Sequence, residues 1–343
     1  QTGQLQAKLQ VQDPFAAAQI NGKVNAALTD LGIVSLFVPR LQKVSGQLKA
    51  DVGVAGPLAK LALRGEIRLE NAGAAIPEAG ITLQNLQLTA ASNGQGSMQL
   101  SGSVRSGPGQ LQLSGEADPF KPQLSLSIKG QNFQALDTSD LRIQLSPDLK
   151  LDIVQQQVRI EGELTIPQAF LRPGGNRSGA IRASNDVVIV NGRNGEEVPS
   201  RPRGLALYAS VRVVLGDNVQ VETPVFKGKL AGSLLIEETP QLAPRGSGSI
   251  EVVAGNYRIF GEEVQIQRGQ LLFGSSPLDN PGLNFRVVRQ SQGTRDQITA
   301  GAQIRGTLKQ PQMTLFSEPK MPDADILSYL VLGRSPQGGG SES

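Results

Sequence analysis

Hydrophobic and polar residues alternate along most of this chain, in short runs. Leu124, Leu126 and Ile128 are interleaved with Ser125 and Ser127, and Leu141, Ile143 and Leu145 with Arg142 and Gln144. Leu149, Leu151 and Ile153 follow with Lys150 and Asp152 between them. Val158, Ile160, Leu164 and Ile166 alternate with Arg159, Glu161, Glu163 and Thr165. Later runs are Leu205-Leu207, Val211-Val213, Val219-Val221, Val264-Ile266 and Leu283-Phe285-Val287. A period of two places one set of side chains on each face of a strand, so these runs predict half-buried antiparallel strands. Gly, Pro, Asn and Asp punctuate them, as in Ser106-Gly107-Pro108-Gly109 and Asp118-Pro119.

One run changes phase. Ile81 and Leu83 are odd-numbered, Leu86 and Leu88 even, with Asn85 between them. One extra residue flips the faces, which predicts a β-bulge near Asn85. Two segments read as helices. Ala26–Val44 carries Leu28, Leu31, Val34, Leu36 and Leu41 and is interrupted by Pro39. Asp323–Leu332 follows Pro322, has Asp323 and Asp325 in its first turn and stops at Gly333. Gly65-Glu66-Ile67-Arg68-Leu69 recurs as Gly162-Glu163-Leu164-Thr165-Ile166 and Gly248-Ser249-Ile250-Glu251-Val252, the mark of units stacked in one direction.

These readings divide the chain into four parts. Residues 1–170 form a repeated β segment with the short helix at 26–44. Residues 171–204 form an Arg/Gly/Pro-rich loop or boundary, either a solvated linker or a patch for anionic head groups. Residues 205–336 form a second β segment ending in the helix 323–332, and 337–343 a flexible tail.

A sheet with one apolar face must cover it with a second sheet, by closing into a barrel, with helices or with an apolar ligand. The helical segments are too few to cover some fifteen strands. At about 4.8 Å per strand such a sheet is roughly 70 Å long, and it should curl into a gutter. The expected fold is therefore mainly β, a long curled antiparallel sheet with an apolar interior and one or two short helices. The expected lining is Leu83, Leu88, Leu100, Leu124, Leu126, Ile128, Leu141, Ile143, Leu145, Leu151, Ile153, Val158, Ile160, Leu164, Ile166, Leu205, Leu207, Val211, Val213, Val219 and Val221. A pair of sandwiches or a β-helix with a dry core satisfies the same pattern.

Composition narrows the chemistry. The 343 residues include no Cys and no His. That removes Cys nucleophiles, His bases, the common zinc sites and the Ser-His-Asp triad. The adjacent acids Glu196-Glu197, Glu237-Glu238 and Glu262-Glu263 suit acid/base work poorly, because neighbours in a strand face opposite ways. Neither Asp279-Asn280 nor Asp323/Asp325 has calcium-loop spacing, and no glycine motif forms a phosphate loop. A binding protein without cofactor or metal is expected, not an enzyme. Net charge is only +3 and aromatics are 4%, so a nucleic-acid partner is not expected. The longest apolar stretch, near Ile33–Val38, is broken by Pro39 and is too short to span a bilayer. Beginning at Gln1 with no signal-like segment, the chain reads as part of a larger protein.

The last third carries an ordered series of motifs. Ile250-Glu251-Val252-Val253-Ala254-Gly255-Asn256-Tyr257-Arg258-Ile259-Phe260-Gly261 is followed by Gln265-Ile266-Gln267-Arg268-Gly269-Gln270-Leu271-Leu272-Phe273. Then come Leu278-Asp279-Asn280-Pro281-Gly282-Leu283, Gly306-Thr307-Leu308-Lys309-Gln310-Pro311 and Pro322-Asp323-Ala324-Asp325-Ile326-Leu327-Ser328-Tyr329-Leu330-Val331-Leu332-Gly333-Arg334. From about 245 to 336 this resembles the C-terminal domain of the TamB family, inner-membrane subunits of translocation and assembly modules in Gram-negative bacteria. Residues 28–170 are similar more loosely. The resemblance implies an AsmA-like bridge protein, anchored in the inner membrane and extending through the periplasm as a taco-shaped β-groove. It implies phospholipid acyl chains and an Omp85-type outer-membrane barrel as partners. The implied role is phospholipid transport to the outer membrane. The alternative is chaperone-like assembly of autotransporters and other outer-membrane proteins, and a third reading is a rigid spacer between membranes.

Overall fold

The computed structural model describes residues 3–12, 19–32, 34–57, 60–94, 96–172, 206–259, 262–290 and 298–333. Its strands are β1 (Gly3–Gln12), β2 (Gln19–Leu28), β3 (Gln42–Pro57), β4 (Ala62–Ile76), β5 (Ile81–Asn93), β6 (Met98–Ser106), β7 (Gly109–Asp118), β8 (Gln123–Gln131) and β9 (Phe133–Asp137). They continue with β10 (Leu141–Val154), β11 (Gln157–Leu171), β12 (Ala206–Glu222), β13 (Phe226–Glu238), β14 (Arg245–Ile259), β15 (Glu262–Pro277), β16 (Gly282–Gln290), β17 (Thr299–Thr307) and β18 (Gln310–Glu318). Two helices, α1 (Val34–Phe37) and α2 (Asp323–Leu332), complete the elements together with one 3-10 turn at Pro77–Ala79.

All eighteen strands belong to one sheet, open rather than closed into a barrel. Each strand pairs with its successor in the chain, except that β8 and β9 lie end to end along β10. β8 takes Asp148–Val154 and β9 takes Arg142–Leu145. The turn chemistry follows the sequence: the Asp118 carboxylate accepts from the backbone N–H of Phe120 at 2.9 Å and of Lys121 at 3.2 Å, closing the β7–β8 connection.

Three expectations change or sharpen. The sheet is mixed, because β11 and β12 run parallel, from Gln157 beside Ala206 to Leu171 beside Val221. A parallel pair needs a crossover of a dozen or more residues, and the Arg-rich stretch expected at 171–204 supplies that length. Most of that stretch, 173–205, lies outside the described residues, as does the tail from 334. The helix expected over 26–44 shrinks to Val34–Phe37, since Ala26 and Leu28 pair in register with Ala50 and Leu48 of β3. The helix-like spacing misleads there: Val24, Ala26 and Leu28 also fit a period of two, and ladder pairing overrides the short amphipathic signal. The bulge expected near Asn85 is present. Asn85 has φ +49°, and the β5–β6 register shifts between Gln84 and Gln87.

The recurring glycines explain the repeat. Gly162 has φ +129°, and a Cβ built there would lie 2.2 Å from the Asp148 carbonyl oxygen of β10. Gly65 and Gly248 repeat this close approach to a neighbouring strand, so the motif marks a backbone contact that only glycine permits.

Candidate functional site

The cross-strand register assembles the alternating residues into rows. One row runs Leu48–Leu69–Leu88–Gly102–Leu113–Ile128–Leu149–Gly162–Val211–Ile236. The next runs Ala50–Ile67–Ala90–Leu100–Gly115–Leu126–Leu151–Ile160–Ala209. One residue along each strand, the row on the opposite face reads Lys49–Arg68–Thr89–Ser101–Ser114–Ser127–Lys150–Glu161–Ser210–Glu237. The sheet thus has one aliphatic face and one polar face across most of its length.

Every expected lining residue that is described falls in these aliphatic rows or in the parallel rows beside them. Leu83 and Leu88 share the face because the Asn85 bulge restores it. Leu124, Leu126 and Ile128 on β8 stand opposite Ile153, Leu151 and Leu149 of β10. Leu141, Ile143 and Leu145 continue the odd positions of β10. Val158, Ile160, Leu164 and Ile166 meet Leu207, Ala209, Val213 and Leu215 across the parallel pair, and Ala169 and Leu171 meet Val219 and Val221. Leu205 lies outside the described residues. The register adds Leu48, Ile67, Leu69, Leu113, Leu149 and Ile236 to the same rows, an assignment that only the strand pairing makes.

These side chains are mostly half-buried, not buried. Val219, at 3% exposure, is an exception beside Ala169. Within the face, leucines lean over glycines: a Cβ on Gly102 would lie 2.4 Å from Cδ2 of Leu88, and one on Gly130 2.4 Å from Cδ2 of Leu111. Small and large residues on adjacent strands thereby cover the backbone and leave an aliphatic surface. At the β1 end the surface runs out to an edge, where Leu5 and Leu9 are 70% and 68% exposed.

Ion pairs occupy the opposite face. Lys129 reaches Asp148 at 3.2 Å and Lys49 reaches Glu70 at 2.8 Å. The Lys49 ammonium holds the Glu70 carboxyl below its usual range. A Ser125 hydrogen bond does the same for Asp152, helped by Lys150. Near the β12–β13 turn Glu222 is lowered by Lys227 and Arg172 together. Two depressions of about 1070 and 790 Å³ open on this face, lined by residues such as Ser114, Ser127, Lys129, Asp148 and Arg212, or Asp118, Lys121, Asp152 and Arg159. Their charges are mixed, and several are paired: Lys129 with Asp148, Lys121 with Asp118 and Lys150 with Asp152.

The remaining candidate chemistry stays apart. Glu237 lies in a polar row and Glu238 opposite Ala209 in an aliphatic one, so the two carboxylates point to different faces. Glu196 and Glu197 lie outside the described residues. Among the described residues no group of three or more acidic side chains could hold a metal ion, and no helix is long and apolar enough to cross a membrane.

The sequence was compared with known families. The model of the TamB C-terminal domain matches residues 84–343, and that of the TamB N-terminal domain matches residues 1–69. The chain belongs to the TamB family. The match extends well beyond the 245–336 region that carries the clearest motifs. The N-terminal match ends within β4 and the C-terminal one begins within β5, two strands that pair directly, so the sheet is continuous from one to the other. A relative, "Translocation and assembly module subunit TamB" of Haemophilus influenzae, is 24% identical over 354 aligned positions. The alignment covers 98% of this chain and 27% of the relative, so the chain spans about a quarter of that TamB protein.

Proposed function

We propose that this segment holds phospholipid acyl chains against its aliphatic face, as the periplasmic part of a membrane-anchored bridge that carries phospholipid between inner and outer membranes. The observation that carries the reading is the aliphatic surface from β2 to β14, continuous in register and for the most part half-buried, with local burial at Met98, Val104, Phe133, Ala169 and Val219. Water is a poor neighbour for such a surface, and each CH₂ buried there contributes about 0.8 kcal/mol. Leu, Ile, Val, Ala and Gly repeat with little variation, so many similar contacts replace one specific site. A chain held that way can slide along the rows. The role is binding and conduction without catalysis, cofactor or nucleic acid.

Native mass spectrometry and lipid extraction of the purified protein test it. Bound phospholipid, lost after Leu126→Asp or Leu151→Asp, is the expected result. A folded protein that carries no lipid and takes none from vesicles overturns it.

A second reading is assembly of outer-membrane proteins with an Omp85-type barrel. The relative's name speaks of translocation and assembly, and β18 has a free edge because its described pairing is to β17 alone. Unpaired backbone groups on such an edge can accept a client strand. Photocrosslinkers along β18 that recover outer-membrane proteins favour this role; crosslinks only to lipid from the aliphatic face favour the first.

A further inference from the structure

The aliphatic face does not stop at β14. Ile250, Leu271 and Leu283 carry it across β14, β15 and β16, and Ile266, Val287, Ala302 and Leu315 carry it to β18. Yet its character changes. Side chains that are mostly half-buried over β5–β12, with Val104, Phe133 and Val219 among the exceptions, give way to Val264 at 0%, Ala300 at 1% and Ala302 at 4% exposure. The cover is α2, whose Ile326, Tyr329 and Leu330 pack on those residues as one buried cluster. Alanines stand under the helix where leucines stand elsewhere, which leaves room for it. The helix is also clasped. Arg289 donates from Nη1 to the Leu330 carbonyl at 3.2 Å, at the helix end where carbonyls lack partners and the dipole is negative. Gly333 ends the helix with φ +71°, and the same guanidinium lies against it.

We infer that α2 is an end stop for the apolar face: it occupies the stretch over β15–β18 that an acyl chain would otherwise fill, and Arg289 latches it there. This rests on the lipid reading above and adds to it a boundary. Acyl chains have access to the face up to β14, and passage beyond requires the helix to lift. The exchange is chemically symmetrical, because helix and acyl chain offer the same aliphatic contact. Arg289 has no such symmetry, since its partner carbonyl leaves with the helix.

The full chain, incubated with phosphatidylethanolamine vesicles bearing a photoreactive diazirine on one acyl chain, tests this by mapping label on peptides. In the unaltered protein β10–β12 should be labelled and β17 should stay at background. In Tyr329→Asp/Leu330→Asp, label on β17 should rise to the level of β10–β12. Arg289→Gln, which leaves the apolar contact intact, should give an intermediate rise. Equal labelling of β17 and β10–β12 in the unaltered protein overturns the stop. So does a folded double variant whose β17 stays at background while β10–β12 is labelled. Should the double variant unfold, Arg289→Gln decides, and no rise at β17 overturns the stop. Absence of label from β10–β12 in all forms refutes the lipid reading, and the stop with it.

Discussion

Ile160→Asp and Val264→Asp place the same charge on the same face of one sheet, and their consequences should differ sharply. Ile160 stands between Leu151 on β10 and Ala209 on β12, half-buried, with no layer of described residues above it. Complete burial of an isoleucine is worth about 1.5–3 kcal/mol, and only part of that is realised here. Replacing a β-branched residue by Asp in a strand removes up to about 1 kcal/mol more. The carboxylate stays hydrated, so desolvation adds little, and the total is about 2–3 kcal/mol. Val264 is fully buried beneath α2. There the carboxylate would be buried without a partner, which costs more than about 4 kcal/mol.

Urea unfolding followed by far-UV circular dichroism measures both, since midpoint times slope gives the difference in stability. An Ile160→Asp cost equal to that of Val264→Asp would refute the open face, because the surroundings of Ile160 are then a dry core. Lipid retention supplies the second arm. A charge that must be desolvated by an acyl chain costs several kcal/mol, so folded Ile160→Asp should lose bound phospholipid. Undiminished lipid in that variant removes the aliphatic face from the binding site.

Gly162→Ala should destabilise the protein by about 1–3 kcal/mol in the same unfolding assay, through its positive φ and the carbonyl 2.2 Å from the new Cβ. Gly274→Ala, which meets nothing within 4 Å, should change it by no more than about 0.5 kcal/mol. Lys129→Ala, which breaks an exposed pair with Asp148 on the polar face, should shift stability by less than about 1 kcal/mol and leave lipid retention unchanged. Acid should act through the carboxylates whose pKa is depressed in the fold, Glu70, Asp118, Asp152, Glu222 and Asp279. Their stabilisation is present above the unfolded-state pKa and is lost as pH falls through the lower folded values. Urea midpoints should therefore be flat from about pH 8 to 5, the chain having no histidine, and should fall below about pH 4.

Much of this architecture was legible because alternation is local. Leu124-Ser125-Leu126-Ser127-Ile128 states both the strand and its two faces, and the phase change at Asn85 announced its bulge. Strand direction was not legible: parallel and antiparallel partners both align like faces, so nothing in Val158–Ile166 distinguishes β12 as a parallel neighbour. The segment around Leu28 fits periods of 2 and 3.6 at once, and the ladder to Leu48 decides between them. Helix α2 was legible from Pro322, its early acids and Gly333, but its seat was not. Val264 and Ile160 look alike in sequence. What separates them is a helix about 60 residues away for one, and the absence of any such cover for the other.

The continuity of the aliphatic face is a matter of parity. Where a single residue is inserted, as at Asn85 in β5, the face is kept only because the sequence changes phase at the same place, from Leu83 to Leu88. Where β12 gains two residues on β13 between Leu215 and Val219, the even number leaves the phase untouched, and both side chains stay in aliphatic rows. The parallel junction obeys the same rule, since Gly162 meets Val211 and Glu163 meets Arg212, like with like. An odd insertion without compensation would turn charged side chains onto the lining for the rest of that strand. A compact sandwich could place such an error at one end, but on an extended face the charged positions interrupt the aliphatic rows that cross that strand. Continuity of the aliphatic face therefore depends on phase as well as on hydrophobicity, and the bulge at Asn85, paired with a phase change in the sequence, preserves both.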